Sequence, residues 1–390
     1  MTRGGCHSTP AWESCLKWTI RNFITIQHAQ GISARGYKPT PLRTGYERVI
    51  GQRTSDLFCT VAQQPGKVKK VTNDAIEVEY KDGSVQHIEL GRRFGSAAGT
   101  VFPHSVVTDL KEGDTFKEGE TVAYNENFFT PDPINPKESL WKAGVMCKTA
   151  LMEANDTFED SSVISERIAK ELGTGITKVR HLFFDFDQTV RNLIEEGASV
   201  DPEAILCTIE DSVTADNDLF SDDTLDTLKL LSGNTPRAKY TGKVEKIEVL
   251  YYGDKEDMTE SLREIADKAD RKLARKRKAV GKKPVTGSVD DSIRIDNKVL
   301  ELDTMVIKVY ITDEIGASVG DKGVFGNQMK TVFARVMGGT NTTEEGEDID
   351  AIFGYTSINA RIILSPELMG TTNTLLRVIS KRVASTYFDK

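Results

Sequence analysis

The chain has 390 residues, of which 38% are hydrophobic and 28% charged, and its formal net charge is −8. That composition excludes a wholly disordered chain or a fibrous repeat, and the length suggests two or three domains at roughly 150 residues each. No run of about 18 apolar residues is present to span a membrane, and the opening MTRGGCHSTPAWESC lacks the apolar stretch of a secretory signal.

Five scattered cysteines (Cys6, Cys15, Cys59, Cys147, Cys207) without CxxC spacing point to a reducing, cytoplasm-like compartment and to no structural zinc. As an average, the acidic balance weighs against nucleic acid, whose phosphates are bound by basic surface. The average hides two opposed blocks, each taken below at its place in the chain.

Residues 66–90, GKVKKVTNDAIEVEYKDGSVQHIEL, alternate apolar and polar side chains and carry Asn73-Asp74 and Asp82-Gly83 at turn positions, which predicts two or three short antiparallel strands. At 160–172, DSSVISERIAKEL places Val163, Ile164, Ile168 and Leu172 at a helix-like spacing, and a strand leading into a helix fits equally well. Residues 195–226 hold eleven acids (Glu195, Glu196, Asp201, Glu203, Glu210, Asp211, Asp216, Asp218, Asp222, Asp223, Asp226) and no lysine or arginine. Further alternating blocks follow at 242–254, GKVEKIEVLYYGD, and at 299–312, VLELDTMVIKVYIT.

Between them, Met258, Leu262, Ile265, Ala269 and Leu273 recur every three or four residues, predicting an amphipathic helix over 257–280 that ends before Gly281. Its C-terminal half is strongly basic. Residues 268–283 contain nine cations (Lys268, Arg271, Lys272, Arg275, Lys276, Arg277, Lys278, Lys282, Lys283) against the single acid Asp270. Cations suit the negative end of the helix dipole, and separate acidic and basic blocks suggest separate surfaces with separate partners. No internal repeat of 20–50 residues is evident. The fold class is therefore mainly β with some helix, an α+β chain.

The stretch richest in chemistry is ASVGDKGVFGNQMKTVFARVM, 317–337, with Lys322 and Lys330 eight residues apart in a glycine-rich loop. Glycines allow a tight backbone approach to an anion, and each lysine offers a point charge to a phosphate. No GxxxxGK[ST] is present, so this is not a P-loop.

Gly320-Asp321-Lys322, then Gly326-Asn327, then Lys330, resembles the active-site loop of the large β subunit of multisubunit RNA polymerases. Collinear segments carry the same resemblance. TFEDSSVISERI (157–168) is similar at Phe158, Glu159, Asp160, Ser165, Glu166 and Arg167 to that family's Asn-Phe-Glu-Asp-Ala-Ile-x-x-Ser-Glu-Arg segment. Segments 45–79, 107–123, 191–207 and 348–376 resemble further parts of β in the same order.

The resemblance implies a barrel-sandwich hybrid at 45–140 after an N-terminal segment, 1–44. It further implies a double-psi β-barrel from 141–170 plus 299–390, and a flap-like insertion at 171–298 bearing both charge blocks. The chain would be the C-terminal half of a β subunit, of the split kind found in giant bacteriophages.

By the same resemblance, Lys322 and Lys330 take the phosphate-binding lysine roles, Asn327 is a polar neighbour, and Arg361 contacts the incoming triphosphate. Glu159 and Asp160 fall near the second metal. Residues Arg271, Lys272, Arg275, Lys276, Arg277 and Lys278 become candidate nucleic-acid contacts. The implied cofactor is Mg2+, held mainly by a β′-like chain, since the family's NADFDGD aspartate loop is missing from this sequence. The implied partners are a β N-terminal half, the β′-like subunit, DNA template, RNA product, nucleoside triphosphates and an initiation or specificity factor. The implied location is the cytoplasm of an infected bacterial host or the virion.

Two departures from the family stand out. Gln328-Met329 separate Gly326-Asn327 from Lys330, where the family has the Gly-Asn immediately before its second lysine, and only 29 residues follow Arg361. Plainer roles compete with the assigned ones: Glu159-Asp160 as a helix cap, and Arg361 as a partner of Asp348 or Asp350. HLFFDFDQT (181–189) also matches the first motif of haloacid-dehalogenase-like phosphatases, in which Asp185 would be nucleophile and Asp187 acid/base. A β-rich virion scaffold without catalysis is a third reading.

Overall fold

A computed structural model describes residues 33–39, 43, 45–97, 99–210, 235–325, 329–343, 346, 348–361 and 365–388. Asn327, the acids Asp211, Asp216, Asp218, Asp222, Asp223 and Asp226, and Cys6 and Cys15 lie outside the described residues. The chain is mainly β, with several antiparallel sheets.

Its principal strands are β1 (Cys59–Val61), β2 (Gly91–Ala97), β3 (Thr100–Val107), β4 (Thr121–Asn125), β5 (Thr149–Leu151) and β6 (Ser161–Ser165). They continue with β7 (Thr174–Asp185), β8 (Ser199–Val200), β9 (Gly242–Tyr252), β10 (Thr304–Ile315), β11 (Lys322–Phe325), β12 (Met329–Met337) and β13 (Ala351–Phe353). The helices are α1 (Tyr46–Gln52), α2 (Glu166–Glu171), α3 (Glu260–Ala279), α4 (Tyr355–Ala360) and α5 (Ser365–Tyr387).

Two compact units divide the chain. The first draws its described residues from Met1–Lys70, Val78–Gly175 and Glu314–Lys390, the second from Val71–Glu77 and Ile176–Asp313.

In the first unit, one five-stranded sheet runs in the order β5-β13-β6-β12-β11 and mixes directions. Strands β5 and β13 pair in parallel, as do β6 and β12, whereas β6–β13 and β11–β12 are antiparallel. Strands distant in sequence thus interleave, and Phe325, Phe333, Phe353, Ile164 and Ile168 close a common core beneath them. The ring centroids of Phe325 and Phe353 lie 5.4 Å apart. A second cluster joins Cys59, Tyr124, Phe128 and Phe129 near β1 and β4.

The open choice at 160–172 resolves as a strand followed by a helix. Val163 and Ile164 are buried in β6, and the Ser165 side chain then caps α2 by accepting from the Ile168 amide at 3.3 Å. Glu159 and Asp160 therefore do not cap this helix.

In the second unit the sheet runs β7-β10-β9-β8, with β9 antiparallel to β10 from Lys243↔Thr312 to Tyr252↔Thr304. The block 299–312 is broken where the sequence predicted one run: Asp303 has φ 60, and β10 begins at Thr304. Nearly every side chain from Thr304 to Thr312 is buried, as in a strand packed on both faces. Helix α3 covers this sheet through Leu262 and Ala266, which join Met258, Val249, Tyr251 and Met305 in the core. It ends as predicted before Gly281, whose φ is 68. The amides of Gly281 and Lys282 return to the carbonyls of Lys278 and Arg277 at 3.0 and 2.9 Å, a paired closure that needs a left-handed residue and so favours glycine.

Candidate functional site

Lys322 and Lys330 belong to the β11–β12 hairpin rather than to its loop. Lys322 opens β11 and Lys330 is the second residue of β12, in the register Lys322↔Val332, Gly323↔Thr331, Val324↔Lys330 and Phe325↔Met329. Directly opposed residues in an antiparallel pair share a face, and alternate residues share it too. Gly323, Phe325, Met329, Thr331 and Phe333 therefore form the inward face, and all five are buried. Lys322, Val324, Lys330 and Val332 form the other face, on which both lysines are exposed. Diagonal neighbours of this kind stand about 7–8 Å apart, so one phosphate or two adjacent ones can meet both ammonium groups.

The approach to Lys322 is a tight turn. The Asp321 carboxylate accepts the Ser318 amide at 2.8 Å, while the Gly320 amide donates to the Phe333 carbonyl and the Phe333 amide to the Asp321 carbonyl, at 2.8 and 2.9 Å. These bonds fasten the Gly-Asp-Lys segment to β12, so Lys322 extends from a held backbone.

Arg361 lies beside the same hairpin. It follows α4, and its Nη2 donates to the main-chain carbonyl of Lys330 at 2.8 Å and to the Asp160 carboxylate. Asp160 in turn accepts the Val332 amide through its carbonyl at 3.0 Å. The Arg361 side chain is only 19% exposed while that of Asp160 is 70% exposed, so the acid faces water and the guanidinium is half sheltered. Arg361 is thus paired with Asp160. Asp350 is buried and taken by Arg167, whose Nε and Nη2 reach its two oxygens at 3.0 and 2.6 Å.

Glu159 is exposed and has φ 54, an uncommon conformation for a residue with a side chain. Its carbonyl accepts from the Ser357 hydroxyl, which ties α4 to the segment before β6. Sequence reasoning did not single out Ser357 or Thr331. The Thr331 hydroxyl donates to Ser162 at 2.8 Å inside the sheet and so fixes β12 against β6. Their only signal was the polar residue in an otherwise apolar pattern.

Lys322, Lys330, Arg361, Glu159 and Asp160 are therefore brought together, and the face they make is cationic at the hairpin and acidic at its margin. Among the described residues no group of three or more His, Cys, Asp or Glu side chains is placed to hold a metal ion. Glu159 and Asp160 are the exposed carboxylates of this face, and Asp160 also holds Arg361.

The remaining candidates lie in the second unit. Arg271, Lys272, Arg275, Lys276, Arg277 and Lys278 occupy the C-terminal half of α3. Asp185 ends β7, and Asp187 sits in the turn after it; both are exposed. The next element is a short strand, Thr189–Arg191. Among the described residues, no helix is long and apolar enough to cross a membrane.

No protein-family model matches the chain. Over 128 residues, 33% of the chain, it is 30% identical to the DNA-directed RNA polymerase subunit beta of Leifsonia xyli subsp. xyli (strain CTCB07). The match spans 10% of that subunit, so the chain covers a small part of the curated relative it resembles. This partial similarity relates the chain to polymerase β subunits.

Proposed function

We propose that this chain is the C-terminal part of a β subunit in a multisubunit DNA-dependent RNA polymerase, and that it supplies phosphate-binding cations to the active cleft. The observation that carries the proposal is the hairpin register, which sets Lys322 and Lys330 on one exposed face beside Arg361. The similarity to a polymerase β subunit supports it from an independent side. The interleaved mixed sheet supports reading the first unit as a double-psi barrel, with the second unit as the flap-like insertion.

In phosphoryl transfer of this kind the chain's work is positioning and charge stabilisation. Lys322 and Lys330 hold phosphate oxygens of the RNA end or nucleotide as point charges. The planar fork of Arg361 binds triphosphate oxygens in pairs, and Asp160 keeps that fork in place until the nucleotide competes for it. Magnesium bound with the nucleotide supplies further positive charge, and Glu159 and Asp160 are the residues here that would lend it oxygen. The metal-binding aspartates come from a β′-like partner, and a β N-terminal half completes the subunit, as in the split polymerases of giant bacteriophages. Transcription by such an enzyme takes place in the infected host or from the virion, with DNA template, RNA and an initiation or specificity factor as partners.

In the reassembled enzyme, Lys322→Ala and Arg361→Ala each lower elongation at least tenfold, about 1.4 kcal/mol of barrier, and leave assembly intact. Wild-type elongation by both variants would reject the assignment. Copurification with a chain bearing an NADFDGD loop tests the class directly.

A further inference from the structure

Helix α3 presents two unlike faces. At about 100° per residue, Lys268, Arg271, Lys272, Arg275 and Lys278 fall within about 120° of arc, opposite the stripe of Leu262, Ala266 and Leu273. All five cations are exposed, and Lys282 and Lys283 extend the row past the helix end. Lys272 is paired with Glu196; among the described residues no ion pair is found for Lys268, Arg275, Lys278, Lys282 or Lys283. The row thus carries uncompensated positive charge on a chain whose net charge is −8.

The row is also held in place. Asp270 is the buried acid of this basic half, and it accepts from the Tyr251 hydroxyl at 2.9 Å and from the Gly287 amide at 2.6 Å. Lys255 lies 2.7 Å from the same carboxylate. One buried side chain therefore ties the helix to β9 and to the chain that returns after it. Successive cations along the face rise by about 5.4 Å per turn, a fixed ladder in place of a flexible tail.

We infer that this face of α3 binds the phosphate backbone of duplex DNA without reading its sequence. Charge complementarity and composition select that occupant. Residues 260–284 contain no Phe, Tyr, Trp, His, Asn or Gln, so the helix has nothing to stack on the bases of a single strand and no amide to pair with a base edge. From 268 to 283 there is also no Ser or Thr to meet a ribose 2′-hydroxyl, which sets DNA above RNA. Backbone contacts by lysine and arginine position a duplex and carry no sequence information. The α3 face does this whether or not the first unit holds nucleotide.

The test is binding of the full chain alone, without nucleotide, to labelled 25-base-pair DNA over a range of salt. Replacing Lys268, Arg271, Arg275 and Lys278 together by Gln is expected to weaken binding at low salt at least tenfold. It should also lower the log–log salt slope by about 3–4, at 0.9 per phosphate lost. A double Lys111→Gln, Lys117→Gln chain, which changes two exposed lysines of the first unit outside both cationic faces, is expected to keep the wild-type duplex slope. Scrambling the DNA sequence should change affinity less than twofold.

An unchanged slope in the Gln variant overturns the inference, as does tighter binding of single-stranded DNA, duplex RNA or polyglutamate than of duplex DNA. Should the fourfold variant lose its far-UV circular dichroism, Lys282→Gln with Lys283→Gln lies beyond the helix and is expected to lower the slope by about 2. A wild-type slope in that pair would likewise overturn it.

Discussion

A Cβ on Gly323 would stand 2.4 Å from Cζ of Phe333 and 2.8 Å from its Cε1, closer than atoms can pack. The tip of the ring reaches over the glycine because β11 and β12 share the inward face that closes the core, so the small residue beside Lys322 serves packing first. Gly323→Ala is expected to cost about 1–3 kcal/mol, the usual range for overpacking, read as a lower denaturant midpoint at constant slope. A second residue sets a pH dependence. His104 is buried in β3, its Nδ1 lies 3.0 Å from the Asn125 amide nitrogen, and burial with the nearby Arg93 and Arg92 charges lowers its pKa from 6.5 to about 4. With the Asn125 amide as donor, Nδ1 accepts and the ring is neutral. As pH falls below 6.5 the unfolded chain takes up a proton that the folded chain refuses, so stability declines between about pH 6.5 and 4 and levels below that. The expected loss is about 1–3 kcal/mol after allowance for solvent near the ring, and His104→Gln should flatten that part of the stability–pH curve.

At the scale of elements, α3 was legible because its apolar period and its closing glycine agree, each a local signal. Gly281→Ala forces a side chain into φ 68 and is expected to cost about 1 kcal/mol, with faster amide exchange confined to the last turn of the helix. The β11–β12 hairpin was legible as a pair of lysines but not as a face. Which side each lysine takes depends on register, and the register is set by Phe325, Met329 and Phe333 against a core drawn from across the first unit. The Asp160–Arg361 contact had no local signal at all, since it joins residues 201 positions apart through the parallel pairing of β6 and β12. The reverse error occurred at 299–312, where alternation suggested one strand and the left-handed Asp303 breaks the run, so that β10 starts only at Thr304. Alternation records which side chains are buried, and it is blind to a single backbone reversal inside the run.

At the scale of the whole molecule, the acidic average of −8 coexists with two cationic surfaces because each is built locally, one by strand register and one by helix period. Three buried thiols allow the cores beneath those surfaces to be followed separately. Cys147 belongs to the core under the mixed sheet, Cys59 to the cluster near β1 and β4, and Cys207 to the core under α3. Burial pushes the thiols of Cys59 and Cys207 up to about 12, so they are almost wholly protonated at pH 8 and inaccessible as well. Alkylation at pH 8 followed by peptide mapping should leave Cys59, Cys147 and Cys207 unmodified in the native chain. Asp270→Ala removes the acceptor of the Tyr251 hydroxyl and the Gly287 amide and the counter-ion of Lys255, a cost of about 2–4 kcal/mol. Because that cost falls on the core that contains Cys207, labelling of Cys207 is expected to move to lower denaturant while Cys59 and Cys147 keep their wild-type midpoints. A common shift of all three thiols would show that the chain opens as one cooperative body, and the anchoring of α3 by Asp270 would then be a property of the entire fold.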